Sequence, residues 1–196
     1  MAADVSAGDR RFLVLHGWRN RRPVGHWQFW LTEQLRRRGE QVLYPQLPRT
    51  DEPQLTEWRE LLAAELNQLG DGERVVICHS LSCLLWAHAA PFLGEAARVD
   101  RLLWVAPPGP SAFVNAVATF APVRLDADSI VATAPERRLV CSDNDPYCSE
   151  GAERVYASLG FPATVLADAG HFNIAAGFGP WPAVERWALG DPDAFA

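Results

Sequence analysis

Short apolar runs alternate with helical patterns along the chain, and this alternation restricts its fold more than any other feature. Predicted strands cover residues 11–16, 41–44, 74–78, 101–106, 138–142 and 163–167. Predicted helices cover residues 26–38, 56–69, 80–90, 112–120, 151–159 and 182–189. Strands that alternate with helices favour a parallel sheet covered on both faces. We therefore expect an α/β fold of three layers, with a doubly wound, mostly parallel sheet of about six strands.

The length of 196 residues is that of one domain with short ends. We expect a single domain over residues 11–190, a loose or disordered tail at 1–10 and a C-terminal tail at 191–196. The connection from Pro107 to Pro135 is too short for a large cap domain, which predicts an open cleft.

Charge and hydropathy exclude several classes of partner. The net charge of -6 gives no general attraction to nucleic acid or to anionic lipid. Arginine clusters at Arg19, Arg21 and Arg22 and at 36–38 are interpreted as a solvated loop and a helix end. No signal-like segment opens the chain, and no apolar run approaches the roughly 20 residues of a membrane span. The sequence thus predicts a cytoplasmic protein with a small-molecule substrate, and it does not identify any protein partners.

Cofactor and metal sites are not expected. The four cysteines, Cys78, Cys83, Cys141 and Cys148, show no C-x-x-C spacing and no histidines at ligand spacing. They are interpreted as free thiols of a reducing compartment. The chain also has neither a G-x-G-x-x-G segment nor a P-loop.

The residues that follow the predicted strands carry the chemistry. In open parallel sheets, ligands bind outside the carboxyl ends of the strands. Ser80 follows the third strand, Asp145 follows the fifth and His171 follows the sixth. The order Ser, Asp, His is that of α/β-hydrolases. A serine hydroxyl is a weak nucleophile that needs a histidine base and an orienting acid, and these residue types supply both.

The turn around Ser80 departs from the usual nucleophile pattern G-x-S-x-G. Cys78 and Ser82 stand where glycines are normal, and both are the next-smallest choices. The backbone N–H of Leu81 is the first candidate for an oxyanion donor, and the N–H of Trp18 is the second. The alternative is that Ser80 only caps the following helix.

Rival residues exist for the acid and for the base. Asp143 follows the same strand as Asp145, and either could be an acid that caps a loop. His79 neighbours Ser80 in sequence, but its side chain must point away, which favours a packing role. His16 is expected to shape the oxyanion loop.

Four segments of the chain resemble a known family. It resembles the small single-domain serine hydrolases of the retinoblastoma-binding-protein type at His16-Gly17, His79-Ser80, residues 142–147 and residues 170–172. The resemblance implies an α/β-hydrolase fold, with the acid immediately before Pro146, at Asp145, and the base at His171. That family usually keeps a glycine where this chain has Cys78.

The sequence therefore predicts a cofactor-free serine hydrolase that cleaves small esters through an acyl-enzyme on Ser80. Amides and thioesters are alternative substrates. Trp18, Phe113, Phe120 and Tyr147 are expected to line an apolar acyl pocket. The rival interpretation is a catalytically silent binding module on the same fold, because fold does not determine function.

Overall fold

A parallel sheet forms the centre of the molecule. The computed structural model describes residues 9–123 and 125–196. Within them the strands are β1 (Arg10–Leu15), β2 (Gln41–Leu43), β3 (Glu73–His79), β4 (Arg101–Val105), β5 (Glu136–Ser142) and β6 (Ala163–Leu166). Their order across the sheet is β2-β1-β3-β4-β5-β6, and every pair is parallel. The predicted α/β-hydrolase fold with about six strands is confirmed.

Helices cover both faces of the sheet. They are α1 (Trp27–Arg37), α2 (Leu55–Gln68), α3 (Leu81–Ala89), α4 (Ala127–Thr133), α5 (Ala152–Val155) and α6 (Pro182–Ala188). One core contains Trp27 of α1 and Val184 of α6, and the other contains residues of α2, α3, α4 and α5. Successive residues of a strand point to opposite faces, so Leu13 lies in one core and Phe12 in the other.

The connection between β4 and β5 differs from the prediction. The helix expected over 112–120 is instead two 3₁₀ segments, Pro110–Ala112 and Asn115–Phe120, and Val117 lies outside helical conformation. The hydroxyl of Thr119 donates to the carbonyl of Pro53 and accepts from the N–H of Leu55, which ties the segment to the start of α2. The helix α4 was not predicted, although Asp126 caps it by accepting from the N–H of Ser129 at 3.0 Å. None of the described residues builds a large cap domain here.

The two chain ends differ from the predicted tails. Residues 1–8 of the expected N-terminal tail lie outside the described residues, and Arg10 already belongs to β1. In the predicted C-terminal tail at 191–196, Ala194 and Phe195 are buried. The Phe195 ring packs against Trp181 of the core at a centroid distance of 5.7 Å. No helix of the described part of the chain has the length and hydropathy needed to cross a membrane.

A line of alternating charges joins the amino ends of the strands. Glu73 accepts from Arg10 Nε and from Arg101 Nη1, both at 3.1 Å. Arg101 Nε donates to Glu136 at 3.0 Å. The Arg101 side chain is almost fully buried, and it also donates to two backbone carbonyls at the carboxyl end of α6. This residue therefore joins three strands to a helix and places a cation where the helix dipole favours one.

Replacing Arg101 is expected to destabilise the fold. Arg101→Met removes a buried cation from two carboxylates and two carbonyls, so the free energy of unfolding should fall by about 3 kcal/mol. Urea unfolding followed by circular dichroism measures the loss. The matched control is Arg37→Met at the exposed end of α1, which should change stability by less than about 0.5 kcal/mol. Equal losses in the two variants would contradict the structural role of Arg101.

Candidate active site

Ser80 occupies a strained turn between β3 and α3. Its φ of 58° and ψ of -126° lie where residues with a side chain are rarely found. The turn is held because the N–H of Ser80 donates to the carbonyl of Val105 at 2.9 Å. The N–H of Cys83 donates to the carbonyl of Ser80 at the same distance. The conformation projects the Ser80 hydroxyl from the carboxyl edge of the sheet.

Ser82, which stands in place of a glycine, contributes hydrogen bonds to this turn. Its buried hydroxyl accepts from the N–H of His79 at 2.9 Å. The same oxygen lies 2.9 Å from the carbonyl oxygens of Leu15 and His79, to either of which it can donate. Cys78, at the other glycine position, is fully buried, and burial raises the pKa of its thiol. Both replacements are therefore accommodated by packing.

Ser80, His171 and Asp145 form one hydrogen-bonded line. The Ser80 hydroxyl lies 2.9 Å from His171 Nε2. On the other side of the ring, His171 Nδ1 lies 3.0 Å and 2.9 Å from the two carboxylate oxygens of Asp145. Asp145 and His171 are both buried, which keeps competing water away from their contact. This arrangement can activate a serine oxygen for attack on a carbonyl.

The loop that carries His171 is held by the side chains that precede Asp145. The N–H groups of residues 168, 169 and 170 donate in turn to Asp143 at 2.9 Å, Ser142 at 3.0 Å and Asn144 at 2.7 Å. Of the two acids weighed from the sequence, Asp145 thus contacts the histidine, while Asp143 holds its loop. The segment 142–145 uses every one of its side chains to position His171.

Two ring N–H groups hold the other side of this loop. His79 Nε2 donates to the carbonyl of His171 at 2.9 Å, and Trp27 Nε1 donates to the carbonyl of Phe172 at 2.8 Å. The pKa of His79 is lowered mainly by burial and secondly by the nearby charge of His171. His79 is therefore a neutral positioning residue and does not contact the Ser80 hydroxyl as a base would.

Gly17 brings the loop after β1 against the nucleophile. A Cβ atom at Gly17 would lie 2.7 Å from the Ser80 Cβ and 3.0 Å from its Oγ, so the approach requires glycine. The N–H groups of Trp18 and Leu81 donate to no other group among the described residues. Both belong to segments that flank Ser80, and their role as oxyanion donors stays a prediction.

His16 fixes the conformation of the same loop. Its Nε2 accepts from the N–H of Leu47 at 2.9 Å, so the proton is on Nδ1, which donates to the carbonyl of Gly17 at 2.9 Å. Burial lowers the pKa of His16 to about 4. A neutral His16 thus joins the loop after β1 to the segment after β2.

A cavity of about 310 Å³ opens at Ser80. Of the predicted pocket residues, Trp18, Phe113 and Tyr147 line it. Phe120 does not, because it is fully buried in the core, where its ring packs against Trp58 at 5.4 Å. The sequence analysis missed several apolar lining residues: Pro23, Pro108, Ala112, Val117, Ile174 and Ala175.

The remaining candidate groups lie apart from this chemistry. Cys78, Cys83, Cys141 and Cys148 are all buried free thiols. The described residues contain no group of three His, Cys, Asp or Glu side chains that could hold a metal ion. His88 lies on α3, where its Nε2 contacts the carbonyl of Phe120 at 2.9 Å.

A family model described as serine hydrolase matches residues 12–188. Among solved structures, the ydeN gene product of B. subtilis superposes with a TM-score of 0.78 at 20% identity, covering 91% of this chain and 96% of that one. A putative YdeN-like hydrolase from Pectobacterium atrosepticum has a TM-score of 0.70 at 21% identity, with 96% and 94% covered. The esterase domain of a Rhodothermus marinus protein has a TM-score of 0.61 at 14% identity, with 91% and 86% covered. No curated protein matches the chain.

Gly17→Ala is expected to impair turnover more than folding. The added methyl group must displace either Ser80 or the loop that carries the Trp18 N–H. A displacement of about 1 Å can reduce the rate about 100-fold, so kcat/KM for a para-nitrophenyl ester should fall by this order. Gly94→Ala is the control, because Gly94 has an ordinary φ of -74° and open space around its Cβ position. Equal activity of the two variants would contradict the close approach.

Acidification is expected to destabilise the protein through its buried neutral histidines. Burial lowers the pKa of His16 and of His26 to about 4 from the ordinary 6.5. Between these values the unfolded chain binds protons that the folded chain does not, so the free energy of unfolding must decrease as the pH falls from 6.5 toward 4. Urea unfolding across this range measures the slope, and His16→Gln should reduce it. A stability that stays level or rises on acidification would contradict the buried neutral histidines.

Proposed function

Because the chain belongs to the serine hydrolase family, we propose that it hydrolyses small esters through an acyl-enzyme on Ser80. The observation that carries the proposal is the continuous line of hydrogen bonds from Asp145 through His171 to Ser80, at the base of an apolar cavity. A protein that only bound ligands would have no need of this line.

The proposed first half-reaction uses the atoms of this hydrogen-bonded line. The Ser80 oxygen attacks the ester carbonyl while His171 Nε2 takes the hydroxyl proton. Asp145 holds the Nδ1–H of the ring and stabilises the imidazolium. The carbonyl oxygen becomes negative and accepts from the N–H groups of Trp18 and Leu81, where one such donor contributes about 3 kcal/mol.

Acylation is complete when the imidazolium gives its proton to the departing alkoxide, which leaves as an alcohol. The second half-reaction restores the enzyme. A water molecule then attacks the acyl-enzyme with His171 as base, and the Ser80 oxygen departs and is reprotonated. The products are a carboxylic acid and an alcohol.

The shape of the cavity supports small substrates. Its volume of about 310 Å³ and its aromatic walls suit a short acyl chain. The esterase domain from Rhodothermus marinus, which shares the fold, is consistent with ester chemistry. A narrower membership in the retinoblastoma-binding-protein type, the alternative amide or thioester substrates and a cytoplasmic location stay predictions.

Labelling by a fluorophosphonate probe tests the proposal. The wild type should be labelled, whereas Ser80→Ala and His171→Ala should not, because the first lacks the nucleophile and the second lacks the base. Asp145→Asn should lower kcat for a para-nitrophenyl ester by about 10⁴-fold, since an amide cannot hold the imidazole in the required tautomer.

Asp143→Asn is the matched control for the acid. Its amide oxygen can still accept from the N–H of Asp168, so most of the activity should remain. A larger loss in Asp143→Asn than in Asp145→Asn would reverse the assignment of the acid. A folded wild type that the probe does not label would instead favour a silent binding module.

A further inference from the structure

Among the described residues that line the cavity, Arg19 is the one that carries a fixed charge. The other lining residues are apolar, amide-bearing, hydroxyl-bearing or histidine. From the sequence, Arg19 was grouped with Arg21 and Arg22 as a solvated loop. The structure separates it from these neighbours, because it borders the cavity that contains Ser80.

The neighbouring arginines are already engaged. Arg21 forms an ion pair with Asp51, and Arg22 Nη1 donates to the carbonyl of Tyr44 at 2.6 Å. Arg19 has no carboxylate within 4.0 Å among the described residues. Asp51, which follows Thr50 in the adjoining loop, is therefore paired with Arg21 and is not available to Arg19.

The position of Arg19 is well defined despite its exposure. Its φ is 55°, and its N–H donates to the carbonyl of Thr50 at 2.9 Å. The guanidinium carbon lies 4.3 Å from the centroid of the Trp18 ring, and the Trp18 Nε1–H donates to the carbonyl of Asp51 at 3.0 Å. The cation thus rests on an aromatic ring that is itself fixed.

A guanidinium in this position can bind an anion. Contact with an aromatic ring uses its face, whereas its N–H donors project from its edge in a fork that matches a carboxylate. One guanidinium balances the single charge of a carboxylate, whereas a phosphate monoester carries nearly two at neutral pH. Because the whole chain has a net charge of -6, an unpaired cation at the cavity favours anionic ligands against the overall repulsion.

We propose that Arg19 binds a carboxylate on the substrate, so that the preferred esters are anionic, with half-esters of dicarboxylic acids as the simplest class. This inference rests on the proposed function. The apolar lining accommodates the carbon chain, Ser80 attacks the ester carbonyl, and Arg19 pairs with the charged end.

Matched pairs of esters test the charge preference. One pair places the carboxylate on the acyl side: para-nitrophenyl hydrogen adipate against para-nitrophenyl hexanoate. The other pair places it on the alcohol side: carboxymethyl hexanoate against ethyl hexanoate. The ratio of kcat/KM for the anionic ester to that for the neutral one should exceed unity in at least one pair, which also shows the side that Arg19 contacts.

Arg19→Gln should lower this ratio about ten-fold, the effect expected from losing a charge-assisted hydrogen bond. Arg19→Lys should retain part of the preference, because it keeps the cation without the fork. Arg37→Gln is the matched control, as it removes a charge at the exposed end of α1, away from the cavity, and it should leave the ratio unchanged. Salt at about 1 M should lower the wild-type ratio by screening.

Two results would overturn the inference: a wild-type ratio at or below unity in both pairs, or equal effects of Arg19→Gln and Arg37→Gln. Binding of adipate monoamide and hexanamide to Ser80→Ala, measured by calorimetry, separates the inference from catalysis. Tighter binding of the carboxylate ligand that depends on Arg19 supports the inference even if the wild type cleaves no ester. Ester cleavage without any dependence on Arg19 supports the proposed function alone.

Discussion

The strained backbone of Ser80 is the constraint on which the site depends. A residue with a side chain reaches this conformation only where surrounding contacts outweigh the strain. Here the contacts come from the neighbouring strand β4, through Val105, and from Ser82, whose hydroxyl contacts both β1 and the turn. The sheet and the nucleophile are thus parts of one structure, and a change in strand register would move the Ser80 oxygen.

Contacts with other segments also position His171, which lies on an irregular loop. The loop around His171 has no regular secondary structure to hold it, yet its N–H groups at 168–170 are bound by the segment that ends in Asp145. Acid and base therefore belong to one hydrogen-bonded unit. His79 and Trp27 attach this unit to the turn that carries Ser80 and to α1, which fixes the distance between the base and the nucleophile.

Among the described residues that line the cavity, most are apolar and Arg19 alone carries a fixed charge. Trp18 belongs to this arrangement in two ways, because its backbone N–H is a proposed oxyanion donor and its ring contacts the guanidinium of Arg19. One short loop after β1 thereby links the proposed oxyanion donor to the proposed specificity residue. Gly17 permits the close approach of that loop to Ser80, and His16 fixes the loop through its hydrogen bond to the carbonyl of Gly17.

Local patterns in the sequence were sufficient to predict the succession of strands and helices along the chain. These patterns are apolar runs, helical periodicity and the order of Ser80, Asp145 and His171. These signals are short-range, and they predicted the fold class and the residues that the structure brings together.

Prediction failed where contacts between distant residues decide the conformation. Phe120 turns into the core because Trp58 packs against it, the segment before it is held by Pro53 and Leu55, and Phe195 is buried against Trp181. The distinct roles of Asp143 and Asp145, and the engagement of Arg21 that leaves Arg19 unpaired, likewise depend on partners far away in sequence. Sequence thus determined which chemistry the strand ends carry, whereas only tertiary packing decided which side chain meets which, because those contacts join residues that no local pattern relates.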